Sequence, residues 1–186
     1  MENFDPGELA HVDVSSSQDR WTLVFVKDLR HPPTKVWAAL TEPGQLTRWA
    51  PYTADRNLAS PGEATLRMID GDGDSGQHLP ASVVCAGPPV LLEHTWGGDL
   101  LRWELTATST GTRLTLLHTL DDRDWAPKVA AGWHLCLVVA DRLLEGRPID
   151  PIRGEDAKQF GWDELNRRYA EKLSNAERDH SDPAGH

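Results

Sequence analysis

The chain has 186 residues, a length that suits one domain with a substantial core. With 29 acidic and 19 basic residues its formal net charge is −10 at pH 7, so its surface repels nucleic acid phosphates and anionic lipid, and neither is expected as a partner. No apolar run reaches the roughly 20 residues needed to span a bilayer. The acidic start, Met1-Glu2-Asn3-Phe4-Asp5-Pro6, lacks the basic and apolar regions of a signal peptide. The expectation is a soluble, cytoplasmic protein with no membrane insertion.

In chain order, residues 1–18 are polar and read as a flexible N-terminus. Residues 21–29 read as a first strand. Trp21, Leu23 and Phe25 share one face, and the β-branched Thr22, Val24 and Val26 share the other. His31-Pro32-Pro33 stops it, because proline cannot continue a ladder. Two short helices follow, over about residues 34–49. Val36, Trp37 and Leu40 fall at helical spacing in the first, and Leu46 and Trp49 in the second. Thr41 is positioned to cap the second helix, and Pro43 is tolerated in its first turn.

From residue 54 the punctuation changes to short strands and tight turns. Strands are predicted over 64–69, 78–86, 90–96, 100–108 and 112–120. A turn-rich loop, Asp70-Gly71-Asp72-Gly73-Asp74-Ser75-Gly76, separates the first two. Pro80 marks an edge or a bulge in the second. Alternation orients the sheet: Leu92, His94 and Trp96 face in, as do Leu101, Trp103 and Leu105, and Leu114, Leu116 and His118. Residues 127–144 form the one long helix, with Val129, Trp133, Cys136, Leu137, Ala140, Leu143 and Leu144 on an apolar stripe. Gly146 and Pro148 end it. A last amphipathic piece spans about 162–173, and residues 174–186 read as frayed. The domain therefore covers 19–146, and 147–186 is a C-terminal extension.

One strand, two short helices, about six antiparallel strands and a long C-terminal helix is the element order of an α+β helix-grip fold. The sequence resembles the START/Bet v 1-like (SRPBCC) superfamily, and within it the bacterial proteins similar to the activator of Hsp90 ATPase. Four segments carry the resemblance. They are Val36-Trp37-Ala38-Ala39-Leu40-Thr41-Glu42-Pro43 with Leu46 and Trp49; Pro88-Pro89 followed by Leu92, His94, Thr95 and Trp96; Trp103-Glu104-Leu105 with Gly111-Thr112-Arg113-Leu114-Thr115-Leu116; and Gly132-Trp133 leading to Leu143-Leu144-Glu145-Gly146. The resemblance implies a curved sheet of six or seven strands gripping the long helix, with a cavity between them. It does not supply a reaction, since function follows the site rather than the fold.

The pocket candidates are Trp37, Trp49, Met68, His94, Trp96, Trp103, Leu116, His118, Trp133 and Cys136. A mostly apolar cavity with a few convergent polar groups is the usual form of a small-molecule site. Eight tryptophans against two tyrosines and three phenylalanines suit either a bulky apolar guest or a wide core. His94 and His118 are the sharpest candidates: as a pair they could act as general acid and base, or each could be a hydrogen-bonded core histidine. His134 lies off the apolar stripe and is expected to be partly exposed. The leading expectation is a carrier or sensor of a small apolar ligand. The alternatives are a cyclase- or dehydratase-type enzyme using His94 and His118, and an interaction module with a chaperone partner. The extension could cover the pocket mouth or pair two copies into a homodimer.

No metal or other cofactor is expected. His134 and Cys136, two apart on a helix, point to different faces, and no zinc-type spacing occurs. Asp70, Asp72 and Asp74 resemble the start of a calcium loop, but Ser75 and Ala81 stand where such a loop needs Gly and Glu. Cys85 and Cys136 are too few for a disulfide scaffold and read as buried thiols. Ser82 lacks the setting of a nucleophile elbow.

Overall fold

A computed structural model describes residues 4–70 and 73–181. Its eight strands are β1 (His11–Ser17), β2 (Arg20–Leu29), β3 (Tyr52–Ala54), β4 (Gly62–Asp70), β5 (Gly73–Gly87), β6 (Leu91–Trp96), β7 (Asp99–Ala107) and β8 (Thr112–Leu120). They form one antiparallel sheet in the order β1-β2-β8-β7-β6-β5-β4-β3. The four α-helices among the described residues are α1 (Pro33–Thr41), α2 (Pro43–Leu46), α3 (Ala126–Leu144) and α4 (Trp162–Ser181), and short 3-10 helices span Arg123–Trp125 and Gly154–Phe160. The architecture is α+β, as expected. The sheet has one or two strands more than the expected six or seven, and the helical pair follows the second strand rather than the first.

The extra first strand was read as flexible chain. Only Val12 of β1 is buried, and Asp13 and Ser15 to Ser17 have low strand propensity, so no alternation betrays it. It is held by its turn. Gln18 and Asp19 both take positive φ, 49° and 65°, the two-residue hairpin geometry that matches the twist of the flanking strands. Ser17 then pairs with Arg20 and Val12 with Phe25.

The loop expected over 70–76 is mostly ladder: Asp70 pairs with Gly73 and Ile69 with Asp74, and residues 71 and 72 lie outside the described residues. The arrangement of the Asp70, Asp72 and Asp74 side chains also falls outside what is described. Pro80 sits in β5 opposite Thr65 of β4. Pairing of β5 with β6 begins only at Val83, so at Pro80 the strand is locally an edge, where a missing N–H is tolerated.

The inner face carries Leu23 and Phe25 of β2, Leu92 and His94 of β6, Leu101, Trp103 and Leu105 of β7, and Leu114, Leu116 and His118 of β8. All match the alternation read from the sequence. Against this face lies α3, apolar almost all round, with Leu135, Val138 and Val139 buried as well as the stripe that meets the sheet. Its other side is covered by α4, which buries Leu165, Tyr169 and Leu173 at successive turns and also touches β1. Helix α4 runs to Ser181, eight residues beyond the expected end at 173. The tail read as frayed over 174–186 is thus helical as far as it is described.

The turn between α1 and α2 differs from expectation in one detail. Glu42, not Thr41, is the N-cap of α2, and its side chain makes no capping bond. The Thr41 hydroxyl instead donates to the Trp37 carbonyl one turn back, at 2.8 Å. The second short helix is anchored by Trp49, whose indole N–H donates to the Ala39 carbonyl at 2.9 Å.

Candidate functional site

The site is built from the inner ends of β6 and β8, one face of α3, and the chain that follows α3. The ladder β6-β7-β8 places His94 opposite Leu101 and Leu101 opposite His118. The two histidines therefore share a face but stand two strands apart, roughly 10 Å at about 4.8 Å per strand. They are not brought together as an acid–base pair.

Each imidazole is held by its own partners. His94 is fully buried. Its Nδ1–H donates to the Thr95 carbonyl at 3.1 Å, and its Nε2 accepts from the Tyr52 hydroxyl at 3.3 Å. Burial penalises its charged form and depresses its pKa to about 4, against a smaller opposite push from the Thr95 carbonyl. His118 Nδ1 accepts from the Trp133 indole N–H at 3.0 Å, so that nitrogen carries no proton. Its Nε2–H points at Asp99 Oδ2, 2.8 Å away. Asp99 in turn meets Arg20 at 3.0 Å. Burial raises the Asp99 pKa, but the His118 and Arg20 contacts outweigh it and hold the carboxyl below its usual range. The chain Arg20–Asp99–His118–Trp133 thus fixes the plane of an indole that projects from α3.

That indole is one wall of an aromatic cluster. Trp133 meets Trp103 edge-on at 5.3 Å and Trp96 at 5.8 Å; Trp103 meets Trp49 edge-on at 6.2 Å; Trp96 meets Tyr52 at 5.5 Å. The innermost part of this cluster is solid. Trp49, Trp103 and Leu116 are completely or almost completely buried, and Trp37 packs beside them in the core. The space expected there is filled by the protein's own side chains.

An unfilled cleft of about 320 Å³ lies further out, between α3 and the ends of β4, β6 and β8. Five of the ten residues singled out from the sequence line it: Met68, Trp96, His118, Trp133 and Cys136. The other five, Trp37, Trp49, His94, Trp103 and Leu116, do not. The walls are mainly apolar. The Trp96 indole N–H points to the Met68 sulfur at 3.3 Å, and burial pushes the Cys136 thiol up to about 12, so it is a neutral, unreactive wall atom. A larger hollow of about 640 Å³ lies by β2 and the N-terminal segment, but Glu8, Lys27, Asp28 and Arg113 stand around it and offer an apolar guest little.

The outer wall comes from the C-terminal extension, which was expected either to cover the pocket mouth or to pair two copies, though none of its residues was among the ten candidates. Ile152, Arg153, Gly154, Ala157 and Trp162, from the extension, close the side of the cleft facing away from the sheet. Arg153 fastens this flap: Nε donates to the Ala50 carbonyl at 2.8 Å and Nη2 to the Thr47 carbonyl, both just after α2. The available signal was Pro-Ile-Arg-Gly, an arginine beside the second of two isoleucines in a proline-rich linker, which is too short for periodicity to orient.

His134 also departs from expectation. It is buried, not partly exposed, because α4 and the N-terminal segment cover that face of α3. Its Nε2–H donates to the Pro6 carbonyl at 2.7 Å, and its Nδ1 accepts from the Tyr169 hydroxyl at 2.7 Å. The same hydroxyl accepts from the Ala10 amide at 2.9 Å. Among the described residues no group of three or more His, Cys, Asp or Glu side chains could hold a metal ion, and no helix is long and apolar enough to cross a membrane.

Comparison with known proteins bears on the fold. The family model described as "Activator of Hsp90 ATPase homolog 1-like protein" matches residues 30–145, more than half of the chain. No curated protein matches. Among solved structures, the chain is similar to EF2215 of Enterococcus faecalis, a conserved protein of unknown function, at 17% identity and TM-score 0.66, covering 88% of this chain and 91% of that one. It is similar to CalU16 of Micromonospora echinospora at 17% identity and TM-score 0.61, covering 87% and 95%. It is also similar to an AHSA1-like protein of Aeromonas hydrophila at 17% identity and TM-score 0.57, covering 67% and 92%. Identities this low establish a shared fold and no shared activity.

Proposed function

The chain belongs to the activator of Hsp90 ATPase homolog 1-like family, and on that premise we propose that it binds a small, largely apolar molecule in the cleft between α3 and the C-terminal extension. One observation carries this reading: a space of about 320 Å³, walled by Trp96, Trp133, Met68 and Ile152, is left unfilled beside an aromatic core that is packed solid. That volume sits at the small end of ligand pockets, roughly 300–1,000 Å³. Burial of apolar ligand surface supplies the driving force, at about 25 cal/mol per Å² before ordering costs.

The binding reading is favoured over acid–base chemistry by the state of the histidines. His94 does not line the cleft, and its Nε2 lone pair is occupied by the Tyr52 hydroxyl. The His118 Nδ1 lone pair is occupied by Trp133. A general base needs a free lone pair within reach of the proton it takes.

Native mass spectrometry of the protein purified from its source tests the reading. A co-purifying small molecule is expected. It is expected to be lost from Ala157→Trp, which fills the cleft from the flap side and spares the core. Retention of the molecule by a folded Ala157→Trp variant contradicts the reading.

A further inference from the structure

The flap adds a single positive charge to an otherwise apolar cleft. Arg153 is 9% exposed and borders the space directly. Its Nε and Nη2 use one edge of the guanidinium on the Ala50 and Thr47 carbonyls, respectively. The end-on edge, formed by Nη1 and the second Nη2 proton, has no partner among the described residues. Nη1 is not among the buried polar atoms left without a partner, so it stays accessible, on a residue that lines the cleft. No carboxylate among the described residues pairs with Arg153. The charged or titratable group acting on it is the Cys136 thiol, which is neutral at any ordinary pH. A guanidinium does not lose its proton in a protein, so the charge persists.

A buried cation without a counter-ion is costly, and two carbonyl dipoles compensate it only in part. The open edge of a guanidinium matches the two oxygens of a carboxylate. Building on the ligand-binding reading above, we propose that the guest is an amphipathic organic anion, with its carboxylate on the free edge of Arg153 and its apolar body against Trp96, Trp133 and Trp162. The net charge of −10 opposes anions at long range, but salt screens that repulsion within about 10 Å, and contact with Arg153 is local. Arg153 lies outside residues 30–145, so this recognition belongs to the extension and not to the part of the chain that defines the family.

Matched probes separate charge from apolar fit: decanoate and decanol, titrated calorimetrically into the full chain at neutral pH and below micelle-forming concentrations. The expected result is decanoate binding about tenfold tighter than decanol. Arg153→Gln is expected to weaken decanoate binding more than decanol binding, so that the ratio of the two affinities falls toward one, and Arg153→Lys to keep part of the preference. Equal affinity of the two probes for the wild type overturns the anion proposal while leaving the cleft reading in place, and that comparison needs no variant to fold. If Arg153 only fastens the flap, Arg153→Gln lowers stability without changing the decanoate-to-decanol ratio, and the proposal also fails. Binding of neither probe removes the cleft reading and this inference with it.

Discussion

The Trp133 indole N–H donates to His118 Nδ1 at 3.0 Å, joining the long helix to the centre of the sheet at the inner wall of the cleft. The bond occupies a histidine lone pair and fixes an aromatic wall in one orientation. It assigns His118 a positioning role. The wild-type imidazole is therefore expected to be the tautomer with a proton on Nε2 only, as read from its side-chain nitrogen shifts by NMR. Trp133→Phe removes the donor and leaves a small void, with an expected loss of about 2 kcal/mol or more of stability. A protonated Nδ1 in the wild type contradicts the assignment.

His94 gives the protein an acid limb of instability. Its pKa falls from an ordinary value near 6.5 to about 4 on folding, so the folded state favours the neutral ring. The associated stability is complete above about pH 6.5 and is lost as pH falls toward 4. The full change is about 3 kcal/mol. His134 is also depressed, first by burial, and acts in the same direction. Urea midpoints measured across this window should fall for the wild type. They should fall less for His94→Gln, and equal slopes in the two proteins would refute the account.

Gly111 has no room for a side chain. Its φ is +158°, and an added Cβ meets the Leu29 carbonyl oxygen at 2.1 Å and the His31 nitrogen at 2.8 Å, both backbone atoms. Beside it the Thr112 hydroxyl donates to the His31 carbonyl at 2.6 Å. Gly111→Ala is expected to cost on the order of 2–4 kcal/mol. Gly44, in α2 with nothing within 4 Å of its added Cβ, is the control, and Gly44→Ala should be neutral or slightly stabilising. Thermal unfolding of the two variants side by side decides the matter.

Tyr169 ties the N-terminal segment to both long helices through Ala10 and His134. Tyr169→Phe leaves the ring packed near Phe25 but strips both hydrogen bonds. The expected outcome is a loss of about 1–3 kcal/mol and faster amide exchange confined to the segment before β1. Uniform acceleration through the sheet would show that the tie is not local.

What could be read from the sequence follows the strength of its periodicity. Strand β8 was placed at its observed ends and α3 to within one residue, because Leu114, Leu116 and His118 alternate strictly and Trp133, Leu137, Ala140 and Leu144 recur at helical spacing. Strand β1 gave no such signal, since it is an edge with one buried side chain. His134 was misjudged because α3 has two covered sides, and the second cover is α4, whose packing partner no local pattern names. The five candidates that line the cleft are aromatic, sulfur-bearing or titratable groups on inward faces. Of the five that lie in the core instead, Trp37, Trp49, Trp103 and His94 have the same character and Leu116 is aliphatic, and only packing distinguishes a wall from a filler. The flap residues Ile152, Arg153 and Ala157 lie in a linker without periodicity and could be placed only in three dimensions.

The cleft itself is tested most directly by following the eight tryptophan indole N–H signals in a two-dimensional NMR spectrum while decanol is titrated into the full chain. The account predicts that the signals of Trp96, Trp133 and Trp162 move together and saturably, while that of Trp49, buried in the packed core, stays in place. Movement confined to the exposed Trp125, or no saturable movement at all, contradicts it.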